Sequence, residues 1–513
     1  MKKTCILLLS LLLGMATLPA QSWKEKLEAM EQRVQKKLDH QKSKVELQFA
    51  NQMRRVWKEA QLFGGLEPPP VPKPITPQIF DPAITPKGRS TEIILAPQPD
   101  PRPTPAPPRK AEPKEVINIP APAPDPAPRA EAQPDRSTSS LMENRIAALN
   151  MNMETRFYGA PVAVRYDRSM QFEPLVYLNE DQIADAWLQL DASRHELLLY
   201  QLQRYAERYR LNDWGYMQLV NQTAHELFPR DPNSRTLFNW FCLSKSGYMG
   251  TVCYTSNRLY LMLPSEHTLY GRTFLKAGKD LKYYVFDLDG KKPELSKVRV
   301  FNHEYPEASR KLNFEVNEAP KFAQLSTYRR LNFNYKGKSF EVPVKLNENL
   351  QDFYENYPFM DLEIYMRTPL SPEVRASMVP SLERAIEGMS EQDATHFLLH
   401  FVQKAFQYKT DQEQFGKERY LFAEETLYFP YSDCEDRSTL FAYLTRELLG
   451  LEVVGLVFPG HAATAVRFNE SVGGDYVTYN GEKYIICDPT YINADLGMVL
   501  PQYKNKEVRI VKI

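Results

Sequence analysis

Tyr431-Ser432-Asp433-Cys434-Glu435-Asp436-Arg437-Ser438-Thr439-Leu440-Phe441 is the stretch on which the reading of this chain turns. Ser432 with Glu435 three residues on fits a capping box. Leu440, Phe441, Leu444 and Leu448 follow at helical spacing, and Gly450 closes the run. The pattern predicts a helix with Cys434 in its first turn. Free backbone N–H groups there carry partial positive charge and favour a thiolate, the nucleophilic form of cysteine. Asp433, Glu435 and Asp436 oppose that charge, so a thiolate here needs a cationic partner. A buried structural cysteine is the competing reading, and it sits uneasily in so polar a turn.

Downstream, residues 451–458 (LEVVGLVF) read as a strand, Pro459-Gly460 breaks it, and His461 opens a second strand running to Phe468. Asn480-Gly481 marks a hairpin. Residues 483–487 form the next strand, stopped at Asp488-Pro489. Antiparallel pairing brings His461 and Asp488 side by side, where a carboxylate fixes the imidazole tautomer and supports its charged form. Each residue alone has a plain explanation: a satisfied polar histidine, and an aspartate of turn chemistry. In the order Cys434, His461, Asp488 they read as nucleophile, base and orienting group.

With these residues in place, the region from about 394 to 503 resembles the transglutaminase-like superfamily, a papain-related group with a Cys-His-Asp triad in that chain order. The matching pieces are Asp-Cys-Glu-Asp-Arg at 433–437, Gly-His-Ala at 460–462 and Asp-Pro-Thr-Tyr at 488–491. The resemblance implies Cys434 as nucleophile, His461 as general base and acid, Asp488 as orienter, and a papain-like α+β core. Many members carry a Trp soon after the histidine, whereas Ala462-Ala463-Thr464 follows here; this departure falls on the acceptor side of the site. No side chain declares itself as an oxyanion donor. Gln414 and Tyr408 are upstream candidates, with plain surface or core as their alternative, and the backbone N–H of Cys434 is another donor.

Residues 1–20 have the composition of a signal peptide: Lys2 and Lys3, an apolar stretch over 6–13, and a small residue at Ala20. The stretch is too short for a membrane span. The expectation is an exported protein without a transmembrane segment, in a bacterial periplasm or outside the cell. Lysine plus arginine and aspartate plus glutamate both total 64, so the formal net charge is zero and gives no case for nucleic acid or an anionic membrane. Cys242, Cys253, Cys434 and Cys487 remain after cleavage, too few for a disulfide scaffold at this length. Cys242 and Cys253 are either a bridge or two small buried hydrophobes, with the second favoured, and Cys487 reads as core. No zinc-type Cys or His clustering and no EF-hand loop stands out, so neither metal nor cofactor is expected.

The whole chain reads as a multidomain α+β protein. Residues 21–65 form an amphipathic helix, with Leu27, Met30, Val34 and Leu38 on one face, that docks on an envelope protein or folds back on the body. Residues 66–138 form a semi-rigid spacer, because 66–136 alone hold 22 of the 40 prolines. In 139–290, Asn179 and Gln182 cap a long helix through Trp187, Leu190, Leu197 and Leu202, and a second helix spans 214–227. There, Ser234-Arg235-Thr236-Leu237-Phe238 echoes Arg437-Ser438-Thr439-Leu440-Phe441, and residues 283–287 (YYVFD) echo 484–488 (YIICD). Either this region is a degenerate copy of the same unit, with Asp231 at the place of Cys434 and no matching histidine, or two apolar helix–strand units coincide. Residues 291–370 form a β-rich module with a hairpin about Lys336-Gly337 and a further strand through Leu362, Ile364 and Met366; 371–513 hold the catalytic unit. Two functions fit: a cysteine enzyme that hydrolyses amide bonds of a protein or peptide, with acyl transfer as a weaker variant, or a non-catalytic envelope scaffold.

Overall fold

The computed structural model describes Lys44, Leu47, residues 57–60 and residues 136–513 except 176–177, 278–280, 291–292, 294, 296–297 and 302–304. The expected signal peptide, the proline-rich spacer and most of the amphipathic helix lie outside the described residues. Strand β1 (Trp57–Ala60) corrects the helix reading over 21–65 at its C-terminal end. It pairs antiparallel with Val298–Phe301, giving that strand's backbone a partner on its open side.

Helix α1 (Arg136–Ala147) and a hairpin of β2 (Met151–Phe157) and β3 (Ala160–Tyr166) lead into four helices. These are α2 (Glu180–Ala192), α3 (His195–Tyr209), α4 (Asp213–Leu227) and α5 (Pro232–Lys245). Asn179 caps α2 by accepting the Gln182 N–H. The single long helix expected through Leu202 is in fact two. The Ser193 hydroxyl donates to the Leu190 carbonyl, and such local bonding competes with helix continuation. Strands β4 (Thr251–Tyr254), β5 (Leu259–Pro264), β6 (Phe274–Ala277), β7 (Leu281–Phe286) and β8 (Val298–Phe301) follow. With β1 they form an antiparallel sheet in the order β1-β8-β4-β5-β7-β6, and α5 packs against it.

The expected hairpin comprises β9 (Ser326–Tyr335) and β10 (Lys338–Asn347), turned by Lys336 and Gly337 at φ of 45° and 77°. Helices α6 (Glu348–Glu355), α7 (Leu362–Arg367), α8 (Pro372–Ile386) and α9 (Glu391–Ala405) come next. The strand expected through Leu362, Ile364 and Met366 is helix α7. Leu362, Ile364, Tyr365 and Met366 are all buried, and periodicity cannot separate helix from strand in so short an apolar run. Leu331, Phe333, Tyr335, Val342, Val344 and Leu346 of the hairpin share one core with α8 and α9, so the hairpin is a wall of the C-terminal unit.

Short elements β11 (Gln407–Tyr408), α10 (Asp411–Phe415), α11 (Ala423–Tyr428) and β12 (Tyr431–Ser432) precede the long helix α12 (Cys434–Leu449). Strands β13 (Glu452–Phe458), β14 (His461–Arg467), β15 (Tyr476–Tyr479), β16 (Glu482–Cys487) and β17 (Arg509–Lys512) then form a sheet in the order β15-β16-β14-β13-β17. All pairings in it are antiparallel, and α12 packs across β13 and β14.

The two halves repeat one connectivity. Helix α5 followed by β4 to β8 gives the order β8-β4-β5-β7-β6, and α12 followed by β13 to β17 gives β17-β13-β14-β16-β15. In each half the third strand formed pairs outside the fourth and the fifth pairs beside the first, so the match covers a helix and five strands with two non-sequential neighbours. The helix-then-sheet order is thus shared by the two halves. No helix among the described residues is long and apolar enough to cross a membrane.

Candidate active site

The site lies on the rim where α12 begins and β14 and β16 meet. Cys434 is the first residue of α12. The N-cap is Asp433 rather than the expected Ser432, and the acid that reaches back is Asp436, whose Oδ2 accepts the Asp433 N–H at 3.2 Å. Glu435 is thereby released from the capping role assigned to it by spacing. It turns to the thiol instead, and Cys434 Sγ donates to Glu435 Oε2 at 2.8 Å.

His461 opens β14 directly after Gly460, which takes φ of 75° in a two-residue turn that pairs Phe458 with His461. Asp488 follows β16. The register pairs Thr464 with Cys487, which sets the two strand ends on one side of the sheet. His461 Nε2 and Asp488 Oδ2 lie 2.7 Å apart, and both side chains are almost wholly buried. Asp488 Oδ1 accepts the N–H groups of Thr490 and Tyr491 at 2.9 and 3.1 Å, so the carboxylate cannot swing away. Tyr503 stacks on the imidazole, with ring centroids 5.1 Å apart and planes at 13°. Nε2 faces Asp488, and the other ring nitrogen, Nδ1, is buried without a hydrogen-bond partner.

The electrostatics favour a neutral thiol at rest. Burial pushes Cys434 well above the ordinary cysteine range; the charges of Glu435 and Asp433 push the same way, and a hydrogen bond from the Ala462 backbone N–H opposes them. That N–H belongs to the residue after His461, so the sulfur lies against the start of β14. Burial also raises Glu435 above the usual carboxyl range. Asp436 is pushed up to about 7 by burial, and Asp411 up to about 9 by burial and by the charge of Asp436. The polar turn expected at Cys434 is present, but it is fully enclosed: Cys434 is 0% exposed and His461 and Asp488 are 1% exposed.

The two oxyanion candidates separate. Burial, and after it the charges of Cys434, Asp433 and Glu435, push the Tyr408 hydroxyl above the ordinary tyrosine range, so it stays protonated in the electrostatic surroundings of the thiol. Gln414 sits half-buried on α10 and is held there by its backbone, with no side-chain hydrogen bond to Cys434 or His461 among the described residues.

Several site residues carried no legible signal. Gln403 Nε2 donates to the carbonyls of Asp488, Tyr491 and Ala494 at 3.0–3.1 Å, and its Oε1 accepts the Asn493 N–H. Buried Arg437 reaches Ser432 Oγ and the carbonyls of Gln403 and Phe406, tying α12 to the end of α9. Tyr420 also feels Glu435 and Cys434, and its ring meets Phe359, whose carbonyl accepts the Tyr270 N–H of the first half. The N-terminal half therefore contributes to the enclosure. Arg437 stood in the quoted motif without a role; Gln403 and Tyr420 become visible only through long-range packing.

The matching rim of the first half is sealed by ion pairs. Arg258 immediately precedes β5 as His461 opens β14, and Asp287 follows β7 as Asp488 follows β16. Arg258 Nη2 lies 2.6 Å from Asp287 Oδ1 and 2.8 Å from Asp289 Oδ2, and Arg235 Nη2 lies 2.7 Å from Asp289 Oδ1. Asp231, the expected counterpart of Cys434, is the N-cap of α5, so by helix position the counterpart is Pro232. Neither supplies a thiol. Cys242 and Cys253 are separate, buried free cysteines, and Cys487 is buried in the C-terminal core.

Compared with models of known families, with curated proteins and with solved structures, the chain finds no match.

Proposed function

We propose that this chain is an exported cysteine hydrolase of transglutaminase-like type, periplasmic or extracellular, that cleaves amide bonds in a protein or peptide. The observation that carries the reading is the buried His461–Asp488 pair at 2.7 Å, with Nδ1 unpartnered beside the turn that holds Cys434. The Cys434 proton passes to His461 Nδ1 as sulfur bonds the substrate carbonyl carbon. Asp488 steadies the imidazolium so formed. Tyr408 and the Cys434 backbone N–H are the donors assigned to the oxyanion in this reading. The C–N bond then breaks, the departing amine takes the proton from Nδ1, and water resolves the acyl-enzyme with His461 again as base. Cys434 is fully enclosed, so substrate entry requires that enclosure to open.

Iodoacetamide labelling of untagged full-length protein, located by peptide mapping from pH 6 to 9, tests the thiol. Turnover of a fluorogenic peptide-amide library tests the reaction. Modification at Cys434, and turnover lost in Cys434→Ala and His461→Ala, are expected. Glu435→Gln should label several-fold faster at neutral pH, because it removes a charge that disfavours the thiolate. Absence of both turnover and labelling overturns the enzyme.

The complete burial of Cys434 favours a second reading, a scaffold that keeps the fold and binds envelope partners. Recovery of a defined partner by the intact protein, unchanged by Cys434→Ala and without any turnover, would decide for it.

A further inference from the structure

Two histidines and an aspartate outside the thiol site converge in a way that sequence spacing did not reveal. His396 and His400 stand one turn apart on α9, so their rings share a face. Their Nε2 atoms lie 3.1 Å from each other. Asp495 Oδ1 lies 2.7 Å from His396 Nε2 and 3.9 Å from His400 Nε2. Ligand atoms bound tetrahedrally to a zinc-sized ion sit about 3.3 Å apart, given metal–ligand bonds of roughly 2.0–2.1 Å. The three separations bracket that value.

We propose that His396, His400 and Asp495 bind one divalent transition-metal ion of the zinc class. The surroundings suit it. Tyr335 Oη lies 2.8 Å from His396 Nδ1, the kind of partner that fixes ring orientation and tautomer in a histidine ligand. His400 is buried, and its Nδ1 has no partner. Two imidazoles and one carboxylate form a borderline-hard set that suits Zn²⁺, Co²⁺ or Ni²⁺ better than Ca²⁺ or Mg²⁺. The Asp495 side chain is 59% exposed, which leaves the ion a route from solvent.

The place of the site gives the ion a consequence. Asp488 and Asp495 lie on the same loop after β16, and Gln403, one turn beyond His400 on α9, already holds the loop's carbonyls at Asp488, Tyr491 and Ala494. An ion between Asp495 and the two histidines adds a second fastening of that loop to α9. It would set how firmly Asp488 is presented to His461, a consequence that rests on the thiol reading, whereas the binding does not.

Untagged full-length protein, stripped with chelator, is titrated with Zn²⁺ by calorimetry and with Co²⁺ by visible absorption. One equivalent is expected, with the d–d bands of a four-coordinate cobalt site. His396→Ala and His400→Ala should weaken Zn²⁺ binding at least 100-fold, Tyr335→Phe about tenfold. Asp495→Asn, at an exposed position that should not disturb folding, should also weaken it. Cys434→Ala should bind as wild type, which separates this site from metal captured by the thiol. Amide hydrogen exchange over 488–495 should slow on Zn²⁺ addition, in Cys434→Ala as well. Binding that survives both histidine variants and Asp495→Asn, or no saturable binding, overturns the site; binding with unchanged exchange overturns the fastening. None of these readouts uses turnover, so the thiol reading can fail while this site stands.

Discussion

Glu424 shows what enclosure does to a single carboxyl in this molecule. Its two oxygens accept the Ser371 N–H and hydroxyl at 2.7 and 2.8 Å, yet burial still pushes it up to about 7. A carboxyl whose folded value exceeds its unfolded value binds more protons in the native state. Its contribution to stability is therefore full below the unfolded value of 4.5 and is lost as pH rises through about 7. Glu424→Gln removes that dependence. Its stability relative to wild type should climb by on the order of 2–3 kcal/mol between pH 4.5 and pH 8 in paired urea denaturations; a flat difference would contradict the burial argument. The same scale explains what was readable at the site. Cys434, His461 and Asp488 each stand at an element boundary marked by Gly, Pro or a capping acid, so local sequence exposed them. Glu435 was misread because the capping rule sees spacing alone, and moving the cap from Ser432 to Asp433 transfers the reach-back role to Asp436.

Among the elements, two glycines decide how the Asp488 loop returns to the sheet. A Cβ on Gly474 would lie 2.5 Å from Gly497 Cα and 2.9 Å from its carbonyl oxygen, with Gly474 at φ of 115°. This contact allows the Asp475 N–H to reach the Gly497 carbonyl and the Gly497 N–H to reach the Ile486 carbonyl, both at 2.7 Å. Gly474→Ala meets backbone that cannot yield as a side chain would. It should cost about 2–4 kcal/mol in chemical denaturation, combining overpacking with a disfavoured φ; a loss under about 0.5 kcal/mol would mean that the loop has room to shift. Elements with strong turn chemistry were legible: Asn480-Gly481 and Lys336-Gly337 both take positive φ at the hairpin ends. Helix α7 and the break between α2 and α3 were not, because one depends on burial from every side and the other on one serine hydroxyl.

At the level of the whole molecule, one connectivity carries two different rims, ion pairs in one half and a thiol with a His–Asp pair in the other. The echo between residues 234–238 and 437–441 was visible in the sequence, but the shared strand order was not, since pairing across the sheets joins residues far apart in the chain. The division at 370/371 was equally hidden: the β9–β10 hairpin precedes it in sequence and packs beyond it in space. In the first half, part-buried Arg258 pairs with Asp287 and Asp289, and removing it leaves Asp287 without its ion partner while Arg235 still holds Asp289. Arg258→Ala should lower stability by about 1.5–3 kcal/mol, read from the unfolding of the N-terminal half. Iodoacetamide modification of Cys434 should proceed as in wild type. A comparable loss of reactivity at Cys434 would show that the two rims communicate.

The closed cover over Cys434 has a chemical corollary. A sulfur with no solvent-facing surface is shielded from peroxide and small disulfides, which attack thiolate character and exposure together. Protonation and enclosure thus guard the sulfur against sulfenic acid formation in this conformation.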